Sequence, residues 1–159
     1  MKIFLATDHA GFALKETVKA VLADRGYDVE DVGAHEYDES DDYPLFIGKA
    51  AAAVVREEGS KAVIFGGSGQ GEAIVANRVA GVRAVVYYGE PPQTQTDAEG
   101  AELSIIAASR VHNDANVLSL GARFLDEAEA VVAVEEWLGT EFAGAERHRR
   151  RIEMIDNFT

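Results

Sequence analysis

The sequence of 159 residues contains no cysteine. Disulfide bonds, thiolate metal ligands and a cysteine nucleophile are therefore all excluded. It also has no apolar run long enough to cross a membrane. Charge interrupts the segment 1–8, which predicts a buried first strand and not a signal peptide. These absences favour a cytoplasmic location without a membrane partner.

Basic residues are scarce: 15 lysines and arginines face 28 acidic residues, for a net charge of -13. Nucleic-acid-binding proteins normally present a basic face, so we expect no nucleic-acid partner. Four arginines nevertheless fall within residues 147–151. On an acidic protein, such a cluster suggests binding of a small anion, although a solvated helix face is the alternative for any run of charge.

Apolar runs alternate with segments of helical periodicity along the whole chain. Strands are predicted at 2–7, 28–32, 61–65, 83–88 and 117–120, and helices at 12–25, 41–58, 71–77, 126–138 and 145–157. This alternation predicts an α/β fold: a three-layer α/β/α sandwich around a five-stranded parallel Rossmann-like sheet. The length suits one domain over 1–159 that ends in the helix 145–157. The polar stretch 90–97 reads as an exposed loop.

Chemically active side chains follow two of the predicted strands. Asp8 and His9 come directly after the first strand, and the glycine-rich loop Gly66–Glu72 follows the third. Ligands of parallel sheets bind outside the carboxyl ends of the strands. Both segments should therefore reach the same edge of the sheet.

The loop Gly66–Glu72 contains four glycines, which allow backbone N–H groups to converge on an anion. It matches neither the Walker loop nor the dinucleotide-binding spacing. Glu72 would repel a phosphate, whereas an enediolate oxygen held by the N–H groups would place a C–H bond beside this carboxylate. A tight turn is the alternative for the loop, and compensation of the helix dipole is the alternative for Glu72.

Two further segments offer polar groups. Arg147 and Arg151 are four residues apart, so on a helix they share a face and could clamp a phosphate, while Arg149 and Arg150 point elsewhere. His112 stands in a segment predicted to be a polar loop, where it could also be a solvated histidine.

Several motifs in the same order extend this pattern over nearly the whole chain: Ala6–Gly11, Asp41–Pro44, Gly66–Glu72 with Ala76–Arg78, Gly81–Ala84, His112–Leu118 with Gly121–Arg123, and Arg147–Ile152. Together they resemble the ribose-5-phosphate isomerase type B family, which includes related galactose- and allose-phosphate isomerases. Some members begin the loop with a catalytic cysteine, where this chain has Gly66. Others place a glutamate later in the loop, and Glu72 matches that position.

The resemblance implies an aldose–ketose isomerase of ribose 5-phosphate and ribulose 5-phosphate. In it, Glu72 moves the proton between C2 and C1 while other groups open the ring and bind the substrate. The implied roles are ring opening by Asp8 and His112; enediolate stabilisation by Ser68 and the N–H groups of Gly67, Gly69, Gln70 and Gly71; phosphate binding by His9, Arg123, Arg147 and Arg151; and sugar contacts by Tyr43 and Asn113.

The resemblance also implies a homodimer or tetramer with shared active sites, in which His112, Asn113 and Arg123 come from the partner. No metal or organic cofactor is implied. The segment 88–109 is longer than in other members, which leaves a tetrose or hexose phosphate open as the substrate. A non-enzymatic flavodoxin-like module is the alternative from a different class, although the aspartate that a receiver needs is replaced by Gly66.

Overall fold

The computed structural model describes residues 1–97 and 100–158. Within these residues, no helix is both long and apolar enough to cross a membrane. The elements in chain order are β1 (Lys2–Thr7), a 3-10 turn (His9–Gly11), α1 (Phe12–Asp24), β2 (Asp28–Asp31), α2 (Tyr43–Arg56), β3 (Lys61–Gly66), α3 (Gln70–Ala76), β4 (Ala84–Tyr87), β5 (Gln95–Thr96), β6 (Glu102–Leu103), α4 (Ile105–Asn113), β7 (Val117–Gly121), α5 (Glu127–Gly139) and α6 (Glu146–Asp156).

Five strands form one parallel sheet in the order β2-β1-β3-β7-β4. From β1 the chain first moves outward to β2, and from β3 it continues on the other side. The strand order therefore reverses between β1 and β3, and the crevice at their carboxyl ends is where such sheets bind ligands. The predicted five-stranded parallel sheet is confirmed.

Alternate residues of the central strands enter two separate cores, as the pleat of a strand requires. Ile3 and Leu5 pack in the core that includes α1 and α5, with Trp137 fully buried. Phe4 and Ala6 pack on the opposite face against α2. Helices therefore cover both faces of the sheet, and the predicted α/β/α layering is confirmed.

The segment before β7 was predicted incorrectly. Residues 105–113 are helix α4 and not a polar loop: the Ser104 side chain caps the helix by accepting from the Ala107 N–H at 2.9 Å, and Ile106 and Ala108 are buried on its inner face. Part of the preceding stretch forms the short antiparallel pair β5–β6. Burial of the inner face of α4 outweighs the polar character of its outer face.

Candidate active site

The loop after β3 surrounds a buried carboxylate. Glu72, in the first turn of α3, is only 5% exposed. A Cβ atom built on Gly66 would collide with the Glu72 carboxylate, so glycine at position 66 allows this side chain its observed position beneath the loop. Burial raises the pKa of the Glu72 carboxyl group, and the nearby charge of Asp8 raises it further. A carboxylate with a raised pKa is a stronger base than an ordinary glutamate.

The other glycines of the loop let functional side chains approach its backbone. Gly69 adopts a left-handed φ of 74° and is the N-cap residue of α3. A Cβ on Gly71 would lie 2.8 Å from Tyr43 Oη, and one on Gly67 would lie 3.3 Å from Arg123 Cζ. Tyr43 and Arg123 thus border the loop that contains Glu72.

Two other predicted residues of this loop lie near its tip. Ser68 is half-buried, and its Oγ accepts from the exposed Gln70 N–H at 3.4 Å. The loop therefore places a hydroxyl group and several backbone N–H groups at the edge where Glu72 is buried.

The loop after β1 brings Asp8 and His9 to the same edge, because Thr7 at the end of β1 pairs with Phe65 of β3. Asp8 is buried, and its Oδ1 accepts from the Ala10 N–H at 3.0 Å. Asp41, for which no functional role was predicted, accepts at one oxygen from both the His9 N–H and His9 Nδ1.

The polar atoms of Asp8, His9 and Asp41 lie within 4.8 Å of one another. Their arrangement is that of a hydrogen-bonded cluster, since Asp8 already accepts from a backbone N–H and Asp41 holds the His9 ring nitrogen. We therefore assign no metal-ligand role to these residues.

The structure corrects the expected position of Arg123. This arginine follows β7 by two residues, and its N–H donates to the Gly67 carbonyl of the same chain at 3.1 Å. The guanidinium group also lies close to Gly67, and its charge acts on His9. Arg123 therefore belongs with the glycine loop of its own chain, and the expectation that it comes from the partner is wrong.

A second cluster combines the end of α4 with α6. The His112 ring stacks on the buried ring of His148 with 4.7 Å between centroids, and Arg147 Nε donates to His148 Nε2 at 3.2 Å. Arg151 and Asn113 line the same cavity of about 490 Å³ as these two histidines. Sequence reasoning named the segment around His148 but gave this residue no role.

The two clusters lie at opposite ends of the strands: one near the amino end of β3 and the other at its carboxyl end. His112 is in the last turn of α4, just before Asn116, whose carbonyl accepts from the Ala62 N–H at the start of β3. The glycine loop begins at the other end of that strand, about 13 Å away at the usual rise per residue. Within one chain, Arg147 and Arg151 accompany His112 and not His9, contrary to the grouping expected from the sequence.

The burial of Glu72 predicts a pH-dependent cost to stability. Its pKa is raised in the folded state, so folding disfavours the charged form. Below the ordinary value of 4.5 the carboxyl group is protonated whether folded or unfolded, and the cost is absent. The cost grows as the pH rises from 4.5 to the raised pKa of the folded state, and it is fully present above that pKa.

We therefore expect Glu72→Gln to unfold at a higher temperature than the wild type at about pH 8, with the difference shrinking as the pH falls toward about 4.5. Thermal unfolding followed by circular dichroism across this range measures the effect. Glu58→Gln, at an exposed position, is the matched control and should change little. Equal melting temperatures of Glu72→Gln and wild type at pH 8 would contradict the prediction.

Comparison with known proteins finds relatives that are similar over nearly the whole chain. A family model described as Ribose/Galactose Isomerase matches residues 3–155. Ribose-5-phosphate isomerase B of Mycobacterium tuberculosis is 35% identical over 158 residues, covering 99% of this chain and 90% of the relative. D-erythrulose-4-phosphate isomerase 2 of Mycolicibacterium smegmatis is 38% identical over 144 residues, covering 89% and 86%.

Among solved structures, ribose-5-phosphate isomerase B from Mycoplasma genitalium with bound ribulose-5-phosphate has a TM-score of 0.85 to this chain. The two sequences are 32% identical, and the match covers 99% of this chain and 95% of that one. The similarity therefore extends to the whole fold.

Proposed function

Because the chain belongs to the ribose/galactose isomerase family, we propose that it interconverts ribose 5-phosphate and ribulose 5-phosphate through an enediolate. The observation that carries this proposal is the buried Glu72 carboxylate, fitted against Gly66 in a loop rich in backbone N–H groups. A desolvated carboxylate beside hydrogen-bond donors suits the transfer of a proton next to a developing oxyanion. Residues 1–159 would act as one catalytic domain, and a cytoplasmic location stays a prediction.

The reaction moves one proton between neighbouring carbons of the open-chain sugar. Asp8 and His112 assist ring opening, after which Glu72 takes the proton from C2 of the aldose. The electron pair of that C–H bond forms the C1–C2 double bond, and the carbonyl electrons move to O1, which gives the enediolate. Glu72 then returns the proton to C1, while the O2 hydroxyl group loses its proton and O1 gains one, so that C2 becomes the carbonyl carbon of the ketose. Ser68 and the N–H groups of Gly67, Gly69, Gln70 and Gly71 stabilise the enediolate, and Tyr43 and Asn113 contact the sugar hydroxyls.

Both clusters contribute to this scheme, so we propose that each site is built from two copies of the chain. The glycine loop, Glu72, His9 and Arg123 come from one copy, while His112 and its neighbours come from the other. The separation of the clusters within one chain supports this arrangement. Ile105 and Ile155 beside the cavity are 51% and 56% exposed, as expected for a surface that a second copy covers.

Phosphate binding follows from the same arrangement. His9 and Arg123 lie on the glycine-loop side, and the arginines of α6 approach from the other copy. Four positively charged or hydrogen-bonding groups would then surround the phosphate, and Arg147 and Arg151 contribute charge-assisted bonds. The whole chain has a net charge of -13, so this concentration of positive charge is exceptional within it.

A related sugar phosphate is the second candidate. One relative of this chain is named D-erythrulose-4-phosphate isomerase 2, and the segment between β4 and α4 places Gln95 in the wall of the cavity beside His112. A tetrose or hexose phosphate would undergo the same proton transfer with Glu72 as the base. The added segment would then adjust the space available to the sugar.

A substrate panel tests the proposal. The purified protein would be incubated with ribose, erythrose, allose and galactose phosphates, and formation of the ketose would be followed by NMR. The highest kcat/KM with ribose 5-phosphate is the expected result, while preference for another phosphate would favour the second candidate. Absence of turnover with every member of the panel would refute the proposed function.

Replacing an arginine of the second cluster should weaken phosphate binding. We expect Arg151→Ala to reduce the affinity for a sugar phosphate by about 1.5–3 kcal/mol, the usual range for a hydrogen bond to a charged group. Isothermal titration calorimetry measures the change. Arg149 is unsuitable as a control because its Nε donates to the Gly144 carbonyl at 2.7 Å.

Arg150→Ala is the matched control, since Arg150 is an exposed arginine on the same helix that lines neither of the cavities beside His112. It should leave the affinity nearly unchanged. Equal losses for Arg150→Ala and Arg151→Ala would indicate a general effect of surface charge and not a phosphate contact.

A further inference from the structure

His9 is fixed by a single oxygen atom of Asp41. Asp41 Oδ1 accepts from the His9 backbone N–H at 2.9 Å and lies 2.7 Å from His9 Nδ1. An ionised carboxylate can only accept, so Nδ1 must carry a proton and Nε2 is the ring nitrogen left to face a ligand. One side chain therefore sets the backbone position, the ring orientation and the tautomer of His9.

The turn before α2 holds Asp41 in place. The Asp41 N–H donates to the Asp38 carbonyl at 3.1 Å, and Asp38 Oδ1 in turn accepts from both the N–H and the Oγ of Ser40. The Asp41 side chain is only 9% exposed. Its acceptor oxygen is thus held by the fold before any ligand binds.

The second oxygen of Asp41 indicates that this burial serves more than local structure. Oδ2 is buried and has no hydrogen-bond partner within residues 1–97 and 100–158. A buried carboxylate oxygen without a donor lowers stability. This destabilising oxygen accompanies the two contacts that Oδ1 makes with His9.

Four charged groups act on the His9 ring. The hydrogen bond to Asp41 has the largest influence and raises the pKa of His9, opposed by desolvation. The charge of Asp8 also raises it, and that of Arg123 lowers it. Asp38, on the same turn as Asp41, is close enough for its charge and that of His9 to interact. The balance favours an imidazolium ion.

We propose that Asp41 is a positioning residue, which holds His9 protonated and directs its Nε2–H group at the phosphate of the substrate. This inference rests on the proposed function, in which His9 binds that phosphate. Asp41 itself does not touch the substrate. It acts by making His9 a fixed, positively charged donor instead of a freely rotating neutral ring.

Two replacements of Asp41 separate charge from orientation. Asp41→Asn keeps an acceptor oxygen and removes the charge, whereas Asp41→Ala removes both. We expect Asp41→Asn to lower the pKa of His9 and to weaken binding of inorganic phosphate about tenfold at neutral pH, the value of one charge-assisted hydrogen bond. Asp41→Ala should weaken it further because the ring is then free to turn.

The measurements are NMR titration of the His9 ring nitrogens, assigned with a His9→Gln variant, and calorimetric binding of inorganic phosphate and ribose 5-phosphate. Glu39→Gln is the matched control: it removes a charge at an exposed position of the same turn, and it should change both readouts little. In the wild type, the pH dependence of KM should follow the titration of His9, which tests the proposal even without a folded variant.

Unchanged His9 titration in Asp41→Asn overturns the proposal, as does altered titration with unchanged phosphate binding. A wild-type KM whose pH dependence does not follow the titration of His9 also overturns the proposal. The failure of the proposed function would look different: phosphate binding would depend on Asp41 while no sugar phosphate was turned over. Isomerisation by Asp41→Asn at the wild-type rate and KM would contradict the role of Asp41 and leave the proposed function intact.

Discussion

Glu72→Gln should lower kcat for isomerisation by a factor on the order of 10²–10⁴, the usual contribution of a general base, while the substrate still binds. Glutamine keeps the size of the side chain that packs against Gly66 but cannot accept the C2 proton. The protein has no cysteine that could take over this role. Loss of turnover should therefore occur without loss of the fold.

Incorporation of solvent deuterium into the sugar is the most direct measurement, since it reports proton exchange even when net conversion is slow. Glu58→Gln, at an exposed position outside both clusters, serves as the control and should retain wild-type activity. Deuterium incorporation by Glu72→Gln at the wild-type rate would exclude Glu72 as the base.

Mixing two inactive variants should restore activity if each site takes residues from both copies of the chain. Glu72→Gln and His112→Ala lie in different clusters, so a mixed dimer has one site with both changes and one site with neither. Random assortment makes half of the dimers mixed, and activity should return to about a quarter of the wild-type value by two-fold symmetry. Co-refolding of equal amounts, followed by a rate measurement, tests this.

The grouping of residues within the chain supplies a matched control for the mixing experiment. Glu72 and Arg123 border the same glycine loop. A mixed dimer of Glu72→Gln and Arg123→Ala therefore has one change in each site and should recover nothing. Recovery with Arg123→Ala, or no recovery with His112→Ala, would contradict the proposed division of the site.

Local sequence patterns were sufficient to predict the strands of the sheet and the cluster formed by the loops after β1 and β3. The apolar runs of β1 and β3 are buried on both faces, so they stand out as strands without any knowledge of the fold. The rule that parallel strands present their carboxyl ends to ligands then grouped Asp8, His9 and the glycine loop correctly. The predictions of an enzyme and of its isomerase family are confirmed by the family match.

The errors arose where strand order and long-range packing decide the outcome. The resemblance assigned Arg123 to a partner, and the sequence alone does not reveal that β7 inserts next to β3, with Gly121 paired to Gly66. Helix α4 was missed because its inner face is recognisable only once Trp137 and the sheet are in place; the Arg110 guanidinium lies 5.8 Å from the Trp137 ring centroid. Asp41 had no local signal beyond its place near a helix start.

A side chain at position 66 and a carboxylate at position 72 compete for the same volume, so these two positions cannot evolve independently. Gly66→Ala or Gly66→Cys would push the Glu72 carboxylate out of place, whereas loss of Glu72 alone would leave the loop without its proposed base. Exchange of the glutamate base for a cysteine at position 66, as in other members of the family that this sequence resembles, would thus pass through a poorly active intermediate whichever change came first. If Glu72 is the base, packing of this kind would preserve the identity of the base across a lineage, apart from any advantage that one base has over the other in the reaction.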